Sequence, residues 1–80
     1  MAKKEYRMNL NLFEKLLVDR NIKTNIELSE LCNIDRNTIG RIRNGEILPS
    51  AQVMYKLATG LKMTPEQAGN IFFSVYLRTA

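Results

Sequence analysis

Glu27-Leu-Ser-Glu-Leu-Cys-Asn-Ile-Asp-Arg-Asn-Thr-Ile-Gly-Arg-Ile-Arg-Asn-Gly45 is the stretch on which the fold turns. Leu28, Leu31 and Cys32 in its first half, and Ile39 and Ile42 in its second, recur at helical spacing, so two short amphipathic helices are predicted. Asn33-Ile34-Asp35 joins them. Asparagine tolerates the positive φ of a tight turn, Ile34 can plug the angle between the helices, and Asp35 is a good N-cap for the second helix. Ser29 is the small side chain expected where two helices cross steeply. The second helix, starting at Arg36, carries Arg36, Asn37, Gly40 and Arg41 opposite Ile39 and Ile42, and Asn44-Gly45 stops it.

Working outward, Thr24 with Glu27 three residues on makes a capping box for the first helix of the pair, whose buried side also takes Ile26. Upstream, Asn9 caps a helix to about Arg20, with Leu10, Phe13, Leu16 and Leu17 as one apolar stripe and Glu14, Lys15 and Asp19 on its solvated face. Asn21 is suited to end it. Downstream, Ser50 caps a helix from Ala51 to Gly60, with Val53, Met54, Leu57, Ala58 and Leu61 as its apolar side. Thr64-Pro-Glu-Gln67 starts another, which the run Ala68, Ile71, Phe72, Val75, Tyr76 carries to Tyr76 or Arg78. No strand signal is read. The expected architecture is all-α, five helices in a single domain over residues 9–80, with residues 1–8 as a flexible basic arm.

Eighty residues with 45% hydrophobic and 25% charged content make one ordinary small domain. No apolar run approaches the ~18 residues of a membrane span and no signal core opens the chain, so a cytoplasmic location is expected. Cys32 is the lone cysteine and there is no histidine, which removes disulfides, zinc fingers and an activated thiol from consideration. No catalytic constellation, metal set, cofactor motif or small-molecule site is read, so an enzyme is not expected. The net charge of +4 permits nucleic acid as partner. The basic residues concentrate where that would be useful, with Arg36, Arg41 and Arg43 against Asp35 alone in the stretch from Asp35 to Gly45.

Thr24-Asn25-x-x-Leu28-Ser29, Asn33-Ile34-Asp35, Ile39, Arg43-Asn44-Gly45 and Pro49 fall at the spacing of a known pattern. Together they resemble the Cro/cI-type helix-turn-helix domain of phage repressors and the related XRE regulators of bacteria. The resemblance implies the five-helix lambda-repressor-like fold, with the helix-turn-helix formed by helices two and three. Three residues depart from the family's pattern. Its glutamine at the start of helix two is Asn25, its turn glycine is Asn33, and its glutamate before Asn-Gly is Arg43, so an internal ion pair often found there is absent or reversed.

Arg36, Asn37, Gly40 and Arg41, on one face of the helix, are the candidate base-reading positions in a major groove, since arginine can donate twice to guanine and asparagine can pair with adenine. The resemblance puts the same four positions at the bases. Thr24, Asn25, Thr38, Arg43 and Asn44 are candidate phosphate contacts, and Lys3, Lys4 and Arg7 candidate arm contacts. Gly40 reads equally well as close approach to DNA or as close packing on helix two. Ile71, Phe72, Phe73, Val75 and Tyr76 give helix five more apolar surface than so small a chain easily hides, which suggests a homodimer contact spacing two recognition helices ~34 Å apart. The expected function is a sequence-specific transcriptional regulator of double-stranded DNA, a phage or prophage repressor closest to the short Cro-like regulators, acting in a bacterial cell or phage-infected host. The alternative is a protein-interaction module of the same fold, antirepressor or antitoxin-like, with little affinity for DNA.

Overall fold

The computed structural model describes the backbone of residues 2–79 and the side chains of residues 8–73. Five helices form its body: α1 (Leu10–Asp19), α2 (Asn25–Cys32), α3 (Arg36–Arg43), α4 (Ala51–Gly60) and α5 (Pro65–Phe72). This is the expected lambda-repressor-like arrangement. A two-stranded antiparallel ribbon is added to it, β1 (Ala2–Arg7) paired with β2 (Ser74–Thr79) in the register Ala2↔Thr79 to Arg7↔Ser74.

Each helix begins where its cap dictates. The side chains of Asn9, Ser50 and Asp35 accept from backbone amides of the first turns of α1, α4 and α3, and Thr24 and Thr64 each form a full capping box, with Glu27 and Gln67. Where the chain must reverse, Asn21, Asn33 and Gly45 take positive φ, as their residue types favour. Lys62 does so as well, at φ 54°. Arg20 stabilises that corner: its Nε and Nη2 donate to the carbonyls of Leu61 and Lys62, tying the end of α1 to the end of α4.

The core gathers Phe13, Leu16 and Leu17 of α1, Leu28 and Cys32 of α2, Ile34 of the turn, Ile39 of α3, Leu57 and Leu61 at the end of α4, and Ile71 and Phe72 of α5. Two residues expected on the buried side of α2 lie outside it, Ile26 and Leu31 being half exposed. The close crossing of α2 and α4 is made by Gly60 and not by Ser29. A Cβ on Gly60 would stand 2.6 Å from Cys32 Sγ and 3.2 Å from Cys32 Cα. Ser29 Oγ instead donates to the Ile34 carbonyl and braces the turn.

The last helix is shorter than expected. It ends at Phe72, Phe73 leaves helical geometry at φ −119°, and the next six residues enter β2. The run Ile71-Phe-Phe-Ser-Val-Tyr-Leu77 satisfies a helical stripe and a strand about equally, as continuous apolar runs do. Its partner strand comes from the opposite end of the chain, in the segment expected as an arm, and no local signal announces that pairing.

Candidate nucleic-acid interface

The α2–turn–α3 unit is held by contacts that leave one face of α3 uncommitted. Ile39 and Ile42 point inward at 2% exposure each, and Ile34 fills the angle at 7%. Asn33 sits at φ 56°, ψ 51°, so the turn gets the left-handed residue it needs without glycine. Asp35 accepts from the amides of Asn37 and Thr38, which fixes the start of α3 beside the concave side of the unit.

Arg36, Asn37, Gly40 and Arg41 lie together on that uncommitted face. With Thr24, Asn25, Ile26, Asn44 and Glu46 they line an open concavity of about 810 Å³ between α3 and the N-terminus of α2. Arg36, Asn37 and Arg41 are exposed and Gly40 is half-buried. A Cβ added at Gly40 would meet only Asn25 Nδ2, at 3.8 Å, which is ordinary contact. Packing on α2 therefore does not require glycine there.

The residues expected at phosphates divide. The hydroxyl of Thr24 is occupied in its capping box, accepting from the Glu27 amide and donating to Glu27 Oε1. Its helix still offers the Asn25 and Ile26 amides, which precede the first intrahelical bonds and aim outward along the axis. Asn44 is exposed at the end of α3 and donates to Glu46 Oε2. Thr38 is half-buried and does not line the concavity.

Arg43 is turned into the fold. Its Nε and Nη2 donate to the two carboxylate oxygens of Glu14 at 2.8 and 2.6 Å, and its Nη1 donates to Asn25 Oδ1 at 2.6 Å. An ion pair thus joins the two helices with the acid on α1 and the base on α3, Arg43 standing where the resembling pattern has glutamate. Glu14, expected on a solvated face, is half of that pair. The pairing is readable in the sequence once the departure at Arg43 prompts a search of α1 for an acid one side chain away.

The dimer residues divide as well. Ile71 and Phe72 are 3% and 7% exposed and belong to the domain's own core, which corrects their assignment to an intersubunit surface. Phe73 is exposed and lines an apolar groove of about 410 Å³ with Leu48, Pro49, Met54 and the edge of Phe72. The side chains of Val75 and Tyr76, like those of Lys3, Lys4 and Arg7, lie outside the described residues. Burial pushes the Cys32 thiol above its ordinary range, so it is a neutral core residue. Among the described residues, no group of three acidic, cysteine or histidine side chains could hold a metal ion, and no helix is long and apolar enough to cross a membrane.

A family model described as Helix-turn-helix matches residues 14–67, well over half of the chain. The match starts within α1, ends within α5, and leaves out both strands of the ribbon. Comparison with curated proteins and with solved structures gives no match.

Proposed function

We propose a function from the premise that the chain belongs to the XRE-type helix-turn-helix family, that of the lambda repressor and Cro, and is a DNA-binding regulator. It acts as a sequence-specific transcriptional repressor of phage or prophage type, working in the cytoplasm where its operator is. α3 enters the major groove, with Arg36 and Arg41 donating to guanine, Asn37 pairing with adenine, and Gly40 allowing the helix to sit close. The amides of Asn25 and Ile26 and the side chains of Asn25, Thr38 and Asn44 hold the backbone phosphates. Thr24 serves as the cap that presents those amides.

One observation carries the reading. The three residues with base-reading chemistry, Arg36, Asn37 and Arg41, share with Gly40 the face of α3 that the core does not use, beside an uncovered helix N-terminus. Two copies related by a two-fold axis would read a pseudo-palindromic site, and the Leu48–Phe73 groove is the proposed contact between them. The same groove would serve the alternative of a protein-interaction module.

A salt series separates the two. Duplexes selected from a random pool should bind with log affinity falling linearly in log salt, at ~0.9 per phosphate neutralised. Failure to enrich any duplex sequence, or affinity flat in salt, sinks the regulator reading in favour of the interaction module.

A further inference from the structure

The chemistry of the Glu14–Arg43 ion pair reaches one residue further than the pair itself. A guanidinium carries donors and no acceptor, so the Asn25 amide can face Arg43 only with its oxygen. Its nitrogen is thereby turned the other way, toward the concavity, where the Nδ2 atom lies 3.8 Å from where a Gly40 Cβ would be. No described side chain or backbone carbonyl takes a hydrogen bond from it. Arg43 is itself held by both oxygens of Glu14, which fixes the direction from which it approaches.

We propose that Glu14 and Arg43 are positioning residues that lock the Asn25 side chain as a donor directed at DNA, its NH₂ group reserved for a backbone phosphate oxygen. The inference rests on the DNA-binding reading above and adds to it a chain of command from α1 through α3 to α2. A phosphate offers only acceptors, so an amide presenting its oxygen would be repelled where one presenting nitrogen bonds. Asn25 is half-buried, so part of its side chain stays open to that contact.

The test exchanges the pair. In the double variant Glu14→Arg/Arg43→Glu the attraction survives, but the carboxylate at position 43 only accepts, so Asn25 must present its nitrogen inward and its oxygen outward. The fold should persist by circular dichroism, and affinity for a duplex selected by the unaltered protein should fall about tenfold, the loss of one hydrogen bond to a charged group. Asn25→Ala should cost about the same in the natural background and nearly nothing in the exchanged one. Additive losses, or an exchanged protein that is folded and binds as before, overturn the proposal. If the exchanged protein does not fold, Asn25→Asp decides. It keeps the acceptor for Arg43 and removes the donor, so stability should hold while affinity falls at least tenfold, and unchanged affinity refutes the assignment. Failure of the unaltered protein to bind any selected duplex refutes the DNA-binding reading itself, a separate result.

Discussion

Gly40→Ala should move stability and DNA affinity in opposite directions. Gly40 is inside α3, where glycine costs roughly 1 kcal/mol relative to alanine through backbone entropy. The added methyl meets one atom, Asn25 Nδ2 at 3.8 Å, so no steric penalty offsets the gain. The variant should be about 1 kcal/mol more stable, raising Tm by about 4–8 °C for a domain of this size. The same methyl sits in the concavity among Arg36, Asn37 and Arg41 and beside the donor of Asn25, where it would hold α3 off the bases. Affinity for a selected duplex should fall by about tenfold or more, within the ~1–3 kcal/mol that one good base contact supplies. Thermal denaturation followed by circular dichroism gives the first quantity and fluorescence anisotropy on a labelled duplex the second. A variant that binds as tightly as the unaltered protein would refute close approach along this face. One that loses stability would show that α2 does need glycine opposite it.

Gly60→Ala is the structural contrast, since its methyl would overlap Cys32 Sγ at 2.6 Å and approach the Leu31 carbonyl at 3.3 Å. Overpacking of ~1–3 kcal/mol, less ~1 kcal/mol of helix propensity, predicts a net destabilisation on the order of 1 kcal/mol in urea titration, and a stabilised protein would contradict the α2–α4 crossing described. Arg41→Ala should cost ~1–3 kcal/mol on the selected duplex and relax preference at one base pair, whereas Asn44→Ala should weaken all duplexes alike; selection repeated with each variant distinguishes them. Because burial raises the thiol pKa of Cys32 above its unfolded value of 9.0, the stability it contributes is whole below pH ~9 and is lost as pH rises through the folded value. A thiol reagent at pH 8 should accordingly label the native protein only as fast as it opens, and labelling at the rate of a free cysteine would contradict a buried thiol. Phe73→Asp should lower the apparent mass in sedimentation if the exposed groove joins two copies, and an unchanged dimer would place that contact elsewhere.

Local chemistry makes most of the fold legible. Capping side chains at Asn9, Thr24, Asp35, Ser50 and Thr64 act within three residues, so each helix start can be read from its own neighbourhood. Left-handed turns at Asn21, Asn33 and Gly45 are equally local. The features that escape a sequence reading depend on distant partners. Whether Val75 continues a helix or enters a strand is settled by Tyr6, its partner almost the whole chain away. The burial of Ile71 and Phe72 is settled by packing on other helices, and hydrophobicity alone cannot tell a core residue from an interface residue. Gly60 escapes because the end of a helix is an ordinary place for glycine. Its reason for being there belongs to Cys32, on another helix. In the candidate site the four proposed readers are legible from periodicity on α3, while the place of Arg43 emerges only when a partner is sought on another helix, since Glu14 lies 29 residues upstream.

That ion pair also separates two properties that are easily run together. Coulomb attraction within the pair is unchanged when the two charges trade places, so the pair by itself does not dictate which helix carries the acid. With Arg43 a quarter exposed and Glu14 more so at the side chain, the pair adds at most modestly to stability. Hydrogen bonding has no such symmetry, because guanidinium only donates and carboxylate only accepts. Exchanging them inverts the demand made on any amide that bridges to the pair, and here that amide is Asn25, at the mouth of the concavity. This chain, with Arg43, must face outward with nitrogen. An exchange that leaves the attraction of the pair intact is therefore one that reverses the chemistry of the surface beside it.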